Sequence, residues 1–269
     1  MTSEKQKTCD VIQVTGSSSS SKSRTVVREV PLTISVNGNE LITLLTTGDA
    51  NRELATGFLL SEGFLTRKED LKSIRVDDEQ GLVEVNLAGD IDLTEKLWGK
   101  RAVTSGCGKG ATFYHILDSL QTRQVTSDVR IVPTQVYALM KELNRLSELY
   151  RDTGGVHNSA LADVERILVF RDDIGRHNAV DKIHGTCFLD NISTKNKLLI
   201  TTGRLSSEIV VKVARMGVPV LVSRSAPTSL ALDLADRVGL TLIGYVRGEK
   251  MTVYTGKERI EYRGLKIGN

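Results

Sequence analysis

The chain has 269 residues, 40% of them hydrophobic and 26% charged, with a net charge of +3. No apolar run approaches the ~20 residues that cross a membrane. The opening MTSEKQKTCD lacks the apolar core of a secretory signal, so a cytoplasmic globular protein is expected. Cys9, Cys107 and Cys187 are too few and too scattered for a disulfide framework or a close-spaced zinc site. The net charge is too small to argue for nucleic acid.

Taken in chain order, residues 15–24 (TGSSSSSKSR) have almost nothing to bury, which predicts a disordered tail over 1–24. Residues 26–48 alternate apolar and polar around Asn37-Gly38, a hairpin signal. A short helix follows, with Leu54, Phe58 and Leu59 on one face. Residues 73–87 read as a second hairpin turning at Glu79–Gly81, residues 111–120 as a short helix, and Pro133 to Leu149 as a longer one. These elements make a β-rich N-terminal part, 25–124, set apart from an α/β part, 125–269.

In that second part ERILVFRD, KLLITT, VPVLVS and LTLIGYV are short apolar runs separated by helical segments. This alternation predicts an α/β fold around a mostly parallel sheet covered on both faces. Residues 250–262 add an edge strand or hairpin.

Three of these runs are followed by an arginine. Gly203, Arg204, Ser206 and Ser207 follow the first, Arg224, Ser225 and Thr228 the second, and Arg247 the third. Ligands of open α/β sheets bind outside the carboxyl ends of strands. Helix N-termini and bidentate arginines there favour a phosphate-bearing ligand. Ser206 or Ser207 is expected to cap one helix, and Pro227 to suit the first turn of the next.

The stretch RDDIGRHNAVDKIHG (171–185) gathers Asp173, Arg176, His177 and Asn178 at a strand-to-helix turn. Asp173 or Asp181 there would orient His177 or hold a sugar hydroxyl; a capped helix with a surface ion pair uses the same residues. His184 reads as structural. In TGGVHNSAL the two glycines before His157 either admit a ligand to the backbone or make a plain turn. In TSGCGKG (104–110), Cys107 sits between glycines with Lys109 beside it. That setting suits a reactive thiolate on a loop as well as it suits a bland small residue.

The blocks SGCGKG, TGGVHNSAL, RDDIGRHNAVDKIHG and the long stretch 201–256 together resemble the FdhD/NarQ family of formate dehydrogenase accessory sulfurtransferases. The resemblance implies a cytidine deaminase-like three-layer sandwich without zinc chemistry, in a homodimer. It implies a persulfide on Cys107, charged by a cysteine desulfurase. The acceptor is a molybdenum or tungsten bis(pyranopterin guanine dinucleotide) cofactor, of which GDP is a fragment, bound before it enters formate dehydrogenase. Tyr245, Val246, Arg247, Gly248, Glu249 and Lys250 match the family's cofactor-binding stretch. Many members carry C-x-x-C at the loop; here Gly110 replaces the second cysteine, so a disulfide within this loop is excluded. Two other classes use the same residues: a non-catalytic cofactor chaperone, and a cysteine hydrolase pairing Cys107 with His157 or His177.

Overall fold

Asn37 and Gly38 both adopt positive φ, the geometry of a two-residue hairpin turn. They join strands β3 (Val30–Val36) and β4 (Asn39–Thr46). The computed structural model describes residues 5–89 and 124–262. Cys107, its loop and the helix expected over 111–120 lie outside the described residues. Strands β5 (Leu71–Asp77) and β6 (Leu82–Leu87) form the second expected hairpin, with Gly81 at positive φ. The four make one sheet in the order β4-β3-β6-β5, covered by helix α1 (Asn51–Glu62). Leu54 and Leu59 are wholly buried and Phe58 packs beside them. Each such leucine contributes about 2 kcal/mol.

The tail is not irregular. Gln6–Thr15 (β1) and Ser18–Val27 (β2) pair antiparallel around Gly16, which takes positive φ. The β-branched Thr8, Val11, Ile12, Val14 and Thr15 suit β1 to a strand, and a glycine-led two-residue turn returns the chain. The serines of β2 then pair through backbone, whatever their side chains lack.

The larger sheet has the order β12-β11-β10-β9-β7-β8. Its strands are β7 (His157–Ala162), β8 (Ile167–Asp173), β9 (Leu198–Thr201), β10 (Val220–Ser223), β11 (Thr241–Arg247) and β12 (Lys250–Thr255). The expectation of a mostly parallel sheet is corrected. Only β9–β10 and β10–β11 are parallel, whereas β7–β8, β7–β9 and β11–β12 are antiparallel. Helices return the chain between the parallel strands, but short turns join β7 to β8 and β11 to β12, and a short turn can only reverse direction.

Sequence alternation decides which helix covers which face. Leu199, Leu221 and Leu242 face α4 (Arg176–Leu189), α5 (Ser207–Met216) and α6 (Ser229–Arg237). Ile200, Val222 and Ile243 face α2 (Pro133–Leu146). The helix expected to run to Leu149 breaks at Ser147, whose hydroxyl accepts from Tyr150 N and starts α3 (Glu148–Thr153). No described helix is long and apolar enough to cross a membrane.

Helix α4 also packs against α1, so it joins the two sheets. Polar side chains reinforce the joint. Lys182 is fully buried, and its ammonium donates to Asp49, Thr47 and the Asp172 carbonyl while pairing with Asp173 at 2.7 Å. One turn earlier Asn178 donates to Leu45 O, and the preceding residue, Asp181, takes both Ser61 and Lys212.

Candidate functional site

The loops that leave β9, β10 and β11 are stitched to one another. Ser223 Oγ donates to Gly203 O at 2.6 Å, Leu205 N to Ala226 O and Tyr245 N to Ser225 O. Through these bonds Arg204, Arg224 and Arg247 share one edge of the sheet. They fall into two groups. Arg224 and Arg247 both line two adjoining hollows, of about 620 and 450 Å3. The larger lies against α2, where Arg224 donates to Asn144 Oδ1 at 3.1 Å. The smaller is lined by His157, Thr202 and Ser225.

Arg204 belongs to a second group on the α4 side, with Arg176 and His157. Burial, then the Arg176 and Arg204 charges, push the His157 pKa down. Burial and Arg204 likewise lower that of Arg176. Gly203 has no side chain because the Arg176 stem fills that space. Arg176 Nε and Ser206 Oγ are buried with no hydrogen-bond partner among the described residues. Ser206 stands at the N-cap of α5 as expected, yet its hydroxyl does not close the cap. Ser207 is the first residue of α5. Thr228 does cap α6, accepting from Ala231 N, which puts Pro227 before the helix rather than in its first turn. Clustered cations, an open helix N-terminus and orphaned donors favour an anion.

The motif 171–185 divides differently from the sequence expectation. Asp173 is fully buried and receives Thr47, Gly175, Asn178 and Lys182. Asp173 has no capacity left for a ligand, and Asn178 spends its amide N–H groups on Leu45 O and Asp173. Neither Asp173 nor Asp181 orients His177; its Nε2 instead meets Glu208 at 3.2 Å. Burial together with Lys212, Arg176 and His157 pushes His177 down to about 3, so the neutral ring donates to Glu208. His184 is buried with Nδ1 at 3.4 Å from Ser61 Oγ, a structural histidine as read. Cys187 is buried and its thiol is pushed up to about 12 by desolvation, which makes it inert at neutral pH.

The glycines before His157 serve the fold. Gly154 ends α3 at positive φ, and Gly155 leaves room for Val27 of β2. In β11 a bulge lies between Gly244 and Arg247. Tyr245 takes φ 54°, rare for an aromatic, and stands exposed. The bulge returns Val246 to the core facing α2 and sends Arg247 to the strand end. Gly248 and Glu249 form the turn that follows, with Lys250 opposite Arg247.

Sequence reading missed the α2 wall. Thr134, Tyr137, Lys141 and Asn144 line the larger hollow. Their three- and four-residue spacing marks one helix stripe beside the buried Val136, Met140 and Leu143.

These features define a mixed α/β protein with a cationic site at the carboxyl ends of its parallel strands. A sequence model of the FdhD/NarQ family matches residues 27–261, and the chain belongs to that family. It is 43% identical over 235 residues to the sulfur carrier protein FdhD of Bacillus subtilis, covering 87% of this chain and 90% of that one. It is 41% identical over 239 residues to that of Bacillus pumilus, covering 89% and 91%. A formate dehydrogenase accessory protein from Desulfotalea psychrophila, known from its crystal structure, superposes with a TM-score of 0.79 at 27% identity, covering 95% of this chain and 99% of that one.

Proposed function

We propose that this chain is a sulfur carrier acting as a sulfurtransferase. It takes the terminal sulfur of a cysteine desulfurase persulfide onto Cys107. It passes that sulfur to a molybdenum or tungsten bis(pyranopterin guanine dinucleotide) cofactor, bound as substrate, before the cofactor enters formate dehydrogenase. The observation that carries the reading is the 43% identity to a sulfur carrier protein over nine-tenths of its length.

The charging step needs no added oxidant. The Cys107 thiolate attacks the donor's terminal sulfur, the donor S–S bond breaks, its thiolate leaves, and a new S–S bond forms on Cys107. Lys109 favours the thiolate. With Gly110 in place of a second cysteine, the relay runs on one protein sulfur.

The acceptor is a polyanion, and the site has the matching chemistry. Arg224 and Arg247 between two hollows, and Arg176, Arg204 and Ser206 at the α5 N-terminus, suit its phosphates. The same reading includes a cytidine deaminase-like sandwich and a homodimer. Mass spectrometry after incubation with a cysteine desulfurase and free cysteine tests it. Wild type should gain the mass of one sulfur atom and Cys107→Ser should not. No gain on wild type, or an equal gain on the variant, overturns the sulfur-carrier reading.

A further inference from the structure

The loop from β9 to α5 carries positive charge that neither hollow takes in: Arg176, Arg204 and Ser206 are absent from the linings of both. The Arg176 stem packs over Gly203, the residue before Arg204. Among the described residues neither guanidinium has a hydrogen-bond or ion-pair partner. The first turn of α5, three residues beyond Arg204, is open. Val210 N is the first amide to return, to Ser206 O at 3.1 Å, and the Ser206 hydroxyl makes no cap bond. The amides of Ser207, Glu208 and Ile209 therefore lack an acceptor among the described residues. Ser206 Oγ and Arg176 Nε are shielded from solvent and have no partner there either.

Leaving buried polar atoms unpaired is costly. Two of them beside two unpaired guanidinium groups mark a place where a ligand completes the bonding. The carboxylate at this end of α5, Glu208, is held by His177 Nε2 at 3.2 Å. Arginine forks and free helix amides match the oxygens of a phosphate-like group. Standing outside both hollows suits the cluster to a small ion rather than a nucleotide. We infer that Arg176, Arg204, Ser206 and the first turn of α5 form a second anion site, separate from the Arg224–Arg247 pair, which takes one compact tetrahedral oxyanion. That oxyanion is a phosphate group on a larger molecule or a free ion of the same shape. The assignment rests on the preceding reading for the nucleotide only, and divides the strand-end cations between two ligands.

Equilibrium dialysis of the full chain against labelled inorganic phosphate, with and without saturating GDP, tests it. With GDP on the Arg224–Arg247 pair, one phosphate per chain should still bind. Arg204→Ala should weaken that phosphate about tenfold or more, the factor for one charged hydrogen bond. Ser206→Ala should weaken it severalfold. Both variants should keep wild-type affinity for GDP, which also shows that they fold. Arg247→Ala should do the reverse. Glycerol phosphate separates the two sources: if it binds beside GDP and is lost in Arg204→Ala, the site takes an attached phosphate group, and if inorganic phosphate alone does so, it takes a free ion. Either result upholds the site. The inference is overturned if GDP displaces phosphate completely, if Arg204→Ala leaves phosphate unchanged or weakens GDP as much, or if wild type binds no phosphate. Failure of GDP to bind removes the nucleotide from the preceding reading. Loss of one bound phosphate in Arg204→Ala still decides this one.

Discussion

Gly57 of α1 and Gly185 of α4 face each other with their backbones in contact. A β-carbon on Gly185 would collide with the Glu53 carbonyl, and one on Gly57 with the Asp181 carbonyl. The joint between the two sheets therefore depends on two missing side chains, and the neighbours that would have to yield are backbone atoms.

Gly185→Ala should destabilise the protein by about 3 kcal/mol, the upper end for an overpacked core. For a chain of this size that is a fall in Tm of roughly 6–12 °C. Differential scanning calorimetry reads it directly. A Tm within a degree or two of wild type would mean that the helices slide apart at little cost.

Lys182→Met should cost about 3–5 kcal/mol, because it leaves Asp173 buried without its cation. Adding Asp173→Asn to Lys182→Met should recover a large part of that loss. Urea unfolding of the two single variants and the double gives the coupling energy. Additive losses would show that the pair is not coupled.

Acid should weaken the fold through the buried histidines. Burial, with Lys212 and Arg215 nearby, holds His184 down to about 3, against an ordinary value of 6.5. Between those two values the unfolded chain binds a proton that the folded chain does not, so stability falls as pH drops from about 6.5 towards 3. The slope is about 1.4 kcal/mol per pH unit for each such histidine. The urea midpoint of wild type, measured at pH 6.5 and 4.5, should fall more than that of His184→Gln. Equal falls would take His184 out of the account.

Arg247→Ala should weaken GDP by roughly 1.5–3 kcal/mol, the range for one charged hydrogen bond, and pyrophosphate by a similar amount. Arg204→Ala tests the separate group beside Arg176 in the same titrations. Unchanged affinity in both variants would remove the phosphate cradle from the site.

Much of the fold could be read from short-range pattern. Asn37-Gly38 specifies its turn through two positive-φ residues, and the apolar runs at 198–201, 220–223 and 241–246 lie in the strands they suggest. What local pattern could not carry was long-range pairing. A serine run looks unable to fold until β1 supplies a partner edge. Parallel order looks general until hairpin turns set β7 and β12 against the other strands. The site divided along the same line. Arginines at strand ends follow from topology, so they were legible. Asp173 looked like a ligand group because Thr47 and Lys182, the partners that occupy it, are defined only by the folded joint. The α2 stripe at Tyr137 and Asn144 was legible as a helix face, but only the β11–β12 turn opposite turns that face into a hollow.

The Lys182 clamp also sets an order on the making of the protein. Thr47 and Lys182, which meet at 2.8 Å, are 135 positions apart. At about 5–20 residues per second of synthesis, Thr47 and Asp49 wait on the order of ten seconds for their cation. Throughout that interval the first sheet has its hairpins and α1 but no α4 to cover Gly57. The nascent chain therefore carries an exposed helix face until its second half emerges. Chaperones that bind nascent chains would meet this protein in that form.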